Sequence, residues 1–142
     1  MGLLDGLDAI LFFWLRSGTH PVRIFQSIAA GVLGREAFQR GWRTAVLGLA
    51  LHFFIAFAVV LVYYVVSRAA GFLTRHPVAY GIAYSVVVYA VMNYIVIPLS
   101  AIGPRTAATP VPVLVNGLLI HAFGVGLPAA LAARAAERRR RR

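Results

Sequence analysis

Hydrophobic positions in this chain run together in long unbroken stretches, with few of the alternating or helical-period faces of a water-soluble fold. Residues 44–67 carry no charged side chain. As a helix rising 1.5 Å per residue they reach about 36 Å, more than the roughly 30 Å hydrocarbon core of a bilayer. Residues 77–102 form a second uncharged stretch. Pro77 suits its first turn, and Pro98 removes a backbone donor late in the helix and should kink or end it. Residues 113–133 form a third, after a Pro- and Thr-rich turn, and contain Pro128, which transmembrane helices tolerate. Three membrane-spanning helices are therefore expected.

The first segment is shorter and more polar. Residues 2–16 place Asp5 and Asp8 ahead of the apolar run 9–15, and the 14 residues to Leu15 reach only about 21 Å as a helix. Acids stand where the basic region of a secretory signal would be, which argues against a signal peptide. The segment reads as a short first span, the alternative being an interfacial helix that does not cross. Between Arg16 and Arg43, residues 21–38 place Ile24, Phe25, Ile28, Ala29, Val32 and Leu33 near a 3.6-residue period, with Arg23, Gln26, Ser27 and Arg35 elsewhere around the helix. That pattern predicts an amphipathic helix at the membrane surface. The expected fold is all-α: a four-helix transmembrane bundle over residues 1–134, with an interfacial helix between helices 1 and 2 and an Arg-rich tail over 135–142.

Composition strengthens this picture. Of 142 residues 61% are hydrophobic and 13% charged, against about 45–50% and 25% in soluble domains. No length remains for a large catalytic domain outside the membrane, and the absence of cysteine excludes disulfides, thiolate metal sites and thiol nucleophiles. The 14 basic residues are all arginine and face 4 acids, for a net charge of +10. Four spans divide the arginines between the two sides with only a small bias, so orientation rests on the tail. Arg138, Arg139, Arg140, Arg141 and Arg142 follow the last span directly, resist translocation and attract anionic lipid headgroups by about 1 kcal/mol each. Both termini are accordingly placed in the cytoplasm of a bacterium, with the chain in the inner membrane. Beside a membrane helix this run selects lipid over nucleic acid as its partner.

Polar side chains within spans mark where function resides, because each is costly in hydrocarbon and needs a partner or a cavity. Counted inward from the side placed outside, Asp8, His52, Asn93 and His121 fall at one depth of roughly 12 Å, one per helix. Gly81, Ser85, Tyr89 and Asn93 recur every four residues as a small and polar stripe. Gly48 and Gly117 each precede a histidine by four, a spacing that permits close helix approach. The layer has two readings. In one it is hydrogen-bonding glue, at about 0.6 kcal/mol per bond, in a non-enzymatic structural or accessory component. In the other it is a ligand site. His52, His121 and Asp8 would then hold a divalent metal or relay protons, or the two histidines would ligate a haem, within a homo-oligomer, a larger membrane complex or a small oligomeric transporter. No metal-protease, di-iron or nucleotide-binding motif is present. Tyr63, Tyr64, Tyr80, Tyr84 and Trp42 read as interfacial belt residues, and His20 and His76 as solvated loop positions.

The segments His20-Pro21-Val22-Arg23-Ile24-Phe25-Gln26-Ser27-Ile28-Ala29-Ala30-Gly31, Leu51-His52-Phe53, Met92-Asn93 and Pro98-Leu99-Ser100 together resemble a group of small bacterial inner-membrane proteins of unknown function. The likeness runs over most of the chain. It implies a four-helix inner-membrane protein and carries no activity with it.

Overall fold

In the computed structural model, which describes residues 1–104 and 106–140, the chain is helical throughout. Six helices organise it: α1 (Gly2–Ser17), α2 (Pro21–Leu33), α3 (Trp42–Ala69), α4 (Phe72–Arg75), α5 (Pro77–Leu99) and α6 (Val111–Arg140), with a 3-10 segment, Gly34–Gln39, between α2 and α3. Helices α3, α5 and α6 are each long and apolar enough to cross a membrane. Helix α1, at 16 residues, reaches about 24 Å.

Local signals set the boundaries. Helix α1 ends at Gly18, whose φ of 64° is a left-handed conformation that glycine adopts without penalty. There the N–H groups of Gly18 and Thr19 donate to the carbonyls of Trp14 and Phe13, the first of them the bond of an αL stop. His20, expected as a solvated loop residue, is exposed but also caps α2: its Nδ1 accepts the Val22 N–H at 3.3 Å, ahead of Pro21 in the first turn.

Helices α5 and α6 share a feature that the hydrophobic pattern did not suggest. Each widens into a π-turn, over Met92–Val96 in α5 and His121–Gly126 in α6. Each turn stops two residues before a proline, Pro98 or Pro128. A proline cannot donate to the carbonyl four residues back, and its ring crowds that carbonyl. The wider turn relieves both problems: Ile97 donates to Met92, and Leu127 to Ala122. As expected from Pro98, α5 ends one residue later, at Leu99, where Ser100 turns extended.

The helices pack through small residues. Helices α5 and α6 run antiparallel, with Gly81 and Ser85 against Gly126 and Ala130, so close that a Cβ built on Gly126 would collide with the Gly81 carbonyl. The stripe Gly81, Ser85, Tyr89 and Asn93 faces α6 down to Tyr89, whose ring lies over Gly117 and stacks edge-on to His121 at 5.3 Å. Helix α2 crosses the first turns of α3. There Gly48 admits the α2 backbone at Phe25 and Ala29, and Gln26 Nε2 donates to the Gly41 carbonyl at 2.8 Å. Thr44 Oγ1 donates to Ala37 at 2.6 Å, and Ala101 N–H donates to Gly31 at 2.9 Å, tying α2 to the end of α5. At the other end, Tyr63 is 2% exposed among Ala129, Ala130 and Ala133. It donates to the Leu73 carbonyl, while Tyr84 donates to Val59 at 2.7 Å. These two tyrosines are therefore core residues, correcting their assignment to an interfacial belt. The alanine face of α6 leaves room for a ring, and the phenolic hydroxyls find backbone acceptors there.

The surface is inverted relative to a soluble protein. Leu3, Leu7, Leu11, Trp14 and Leu15 stand exposed on α1 while Gly6 is buried and Asp5 and Asp8 turn inward. Phe54, Phe57, Val65, Val86, Val87, Leu119 and Phe123 are likewise exposed on the long helices. Exposed apolar faces around a small, Ala- and Gly-rich interior belong to a molecule whose solvent is hydrocarbon.

Candidate functional site

Four helices contribute polar groups to the middle of the molecule, and α1 decides how they pair. It lies antiparallel to α3, with Gly6 against His52, Gly2 against Phe53 and Ala56, and Met1 beside the Tyr63 cluster. The absence of a side chain at Gly6 lets the His52 ring approach: a Cβ there would sit 3.2 Å from Nε2. His52 Nε2 lies 2.8 Å from the Gly2 carbonyl oxygen. A carbonyl only accepts, so Nε2 carries the proton, and Nδ1 faces Asp5 Oδ2 at 3.9 Å. The bond is made at the start of α1, where the ring meets the first turn of the helix it holds.

Asp8 takes a different partner. It accepts a hydrogen bond from Asn116 Nδ2 at 2.7 Å, joining α1 to α6. Asn93 donates to Tyr89 one turn earlier on α5 at 2.9 Å, and His121 Nδ1 donates to Gly117 on its own helix at 2.8 Å. His52, Asn93 and His121 nonetheless line one cavity of about 230 Å³, with Asp5 on its α1 wall and Ile55, Val59, Val88 and Val125 supplying apolar lining. Asp5, Asn93 and His121 also border a second cavity of about 220 Å³ that contains Asp8, Asn116 and Tyr89. Of the layer read from sequence, Asn93 and His121 thus line both cavities, His52 the first and Asp8 the second.

The physical reason is helix register. The antiparallel packing of α1 on α3 sets Gly6 against His52 and Gly2 against Ala56. His52 therefore comes level with Asp5 and Gly6, about one turn from Asp8. Two members were missed. Asp5 lies three residues before Asp8, a spacing that puts both on one helix face. Asn116 stands beside Gly117 on the same part of α6, five residues before His121, and both line the second cavity. Their signal was an acid and an amide within spans, the same criterion that selected the other four.

This geometry corrects the metal set. His52, His121 and Asp8 do not converge, and among the described residues no three histidine or carboxylate groups lie close enough to hold a metal ion. A haem fits no better. The cavity that the two histidines share, at about 230 Å³, falls below the roughly 300–1,000 Å³ of ordinary small-molecule pockets. What the site can do is hydrogen-bond helix to helix and exchange protons among Asp5, His52 and small polar guests. Of the tail arginines, Arg138, Arg139 and Arg140 are exposed on the last turn of α6, and Arg141 and Arg142 lie outside the described residues.

Fold and site together define an α-helical membrane protein with three helices long and apolar enough to span, a short helix α1 and a half-buried polar centre. Compared with known family models, curated proteins and solved structures, the chain gives no match.

Proposed function

We propose that this chain is a four-span bacterial inner-membrane protein with a non-enzymatic, structural or accessory role, in which the polar layer clasps the short helix α1 to a three-span body. The supporting observation is where the cross-helix bonds of the layer land. Among the described residues no buried side-chain nitrogen or oxygen lacks a hydrogen-bond partner, and the cross-helix bonds of the layer, His52 to Gly2 and Asn116 to Asp8, both land on α1. His52 and Asn116 thus direct their cross-helix bonds to the first helix, while Asn93 and His121 bond within their own helices. Helix α1 then forms a short fourth span, its leucine face toward lipid. Helix α2 lies at the outer membrane surface, with Arg23 and Ser27 outward and Ile24, Ala29 and Ala30 inward, near the exposed Trp42. Both termini face the cytoplasm.

A second reading keeps the layer as a proton or small-ligand site, in one chain or a small oligomer. The cavity shared by His52, Asn93, His121 and Asp5 favours it.

Detergent-purified protein separates the two. The clasp reading expects no haem absorption and no stoichiometric metal. It also expects His52→Ala to lower stability by about 1–2 kcal/mol and His121→Ala by less, since the His121 bond stays within its own helix. A proton or small-ligand site would instead show a pH-dependent change or ligand binding in the parent protein that is lost equally in both variants.

A further inference from the structure

The end of the molecule where α3, α4 and α6 meet carries a second constellation, unconnected with the polar layer. Thr74, 6% exposed in α4, sets its hydroxyl between the Glu137 carboxylate and the Gly71 carbonyl, its one proton serving either acceptor in turn. This contact pins the last turns of α6 under the α3–α4 connection. It also forms a partition between two hollows that share Gly71, Thr74 and Glu137. One, of about 120 Å³, is bordered by Arg68 and Arg140 together with Ser67 and Tyr64. The other, of about 300 Å³, is bordered by Arg75, Arg134 and Arg138. Three elements distant in sequence thus bring five arginines to the borders of two hollows that share one carboxylate, Glu137.

We infer that the paired hollows are a binding site for an anionic phospholipid whose headgroup carries two phosphates joined by a hydroxyl-bearing glycerol. Charge complementarity selects the class. Five arginines against one glutamate leave a strong positive excess, and guanidinium forks match phosphate oxygens in geometry as well as charge. The division into two basic compartments selects a diphosphate over a single phosphate, one group for Arg68 and Arg140 and the other for Arg75, Arg134 and Arg138. Between them the Glu137 carboxylate, an acceptor with several lone pairs, stands where the linking glycerol would present its hydroxyl as a donor. Position selects a lipid over a soluble diphosphate. The hollows open at the ends of the long spans, and Val65, Val66, Phe72, Val78 and Leu131 present exposed apolar surface beside them, along which acyl chains would run. Basic pockets between transmembrane helices are a known mode of headgroup capture. Unlike a diffuse attraction of the tail to negative membranes, this site depends on Arg68 and Arg75, which lie outside the tail.

The inference requires only that the long spans lie in a bilayer, and it stands apart from the clasp of α1. Its test is retention of diphosphatidylglycerol by the purified full chain, measured by native mass spectrometry from nanodiscs of phosphatidylcholine doped with that lipid. Phosphatidylglycerol at matched charge and inorganic pyrophosphate serve as competitors. The expected result is preferential retention of the diphosphate lipid, displaced by neither competitor. Retention should weaken about thirtyfold in the double variant Arg68→Gln/Arg134→Gln and stay unchanged in Arg23→Gln at the opposite end. Equal displacement by phosphatidylglycerol would reduce the site to general electrostatics. Displacement by pyrophosphate would make it a soluble-anion site. Either result overturns the inference on the parent protein alone, without relying on how any variant folds.

Discussion

Replacing Gly126 by alanine is expected to destabilise the protein by about 2–3 kcal/mol, although alanine is the better helix former. A Cβ at Gly126 would strike the Gly81 carbonyl and lie 2.7 Å from the Ser85 Cβ. Both obstacles belong to the opposing helix and neither can rotate away, so α5 and α6 must separate. Overpacking a tight interface costs about 1–3 kcal/mol. In a membrane, moreover, dispersion contacts and close backbone approach take over much of the role that the hydrophobic effect plays in water. Gly81→Ala should act in the same direction but less, because its Cβ meets Gly126 oxygen at 2.9 Å and Ala130 at 3.0 Å. The double variant should cost less than the sum, since the first substitution has already parted the helices. Gly71, with open space around its Cβ position, is the control: Gly71→Ala should be neutral or slightly stabilising. Equilibrium unfolding by SDS titration in mixed micelles measures all four.

Gly48→Ala is the second large effect, at about 2–3 kcal/mol, and its consequence is local. The new Cβ would collide with the Phe25 carbonyl, with Ala29 nitrogen at 3.2 Å, and push α2 off α3. The bonds from Gln26 to Gly41 and from Thr44 to Ala37 would lengthen with it. Backbone amides of α2 should then exchange with solvent faster while α5 and α6 are unaffected. Gly126→Ala would instead loosen α5 and α6, so hydrogen exchange by mass spectrometry distinguishes the two substitutions by location.

These glycines show how far the sequence could be read. Each uncharged run overlaps one of the long helices α3, α5 and α6, although α6 continues past residue 133 to Arg140, because hydrophobic length is dictated by membrane thickness and needs no knowledge of neighbours. The recurrence of Gly81, Ser85 and Tyr89 marked a close-packed stripe, but its partner had to come from the structure. Asp8, His52, Asn93 and His121 were selected because polar groups in spans are costly. Their pairing depended on helix register, which no run of hydrophobic residues encodes, so Asp5 rather than Asp8 stands beside His52. The π-turns were hidden for a similar reason. Pro98 and Pro128 announce a lost hydrogen bond, yet whether the helix kinks or widens is settled by what packs against it. Tyr63 looked like a belt residue until the alanine face of α6 made room for its ring, and the tie between Thr74 and Glu137 joins residues 63 positions apart, beyond any local signal.

The central claim is that His52 holds the start of α1 against α3. Gly2 and Ala56 face one another, and a Cβ on Gly2 would lie 3.2 Å from the Ala56 Cβ, near the separation at which two cysteines form a disulfide. Because the chain contains no cysteine, the pair Gly2→Cys/Ala56→Cys gives an unambiguous oxidative cross-link in native membranes. The account predicts rapid and near-complete cross-linking, slowed several-fold when His52→Ala is added. Failure of the pair to cross-link, or a rate indifferent to His52, would contradict it.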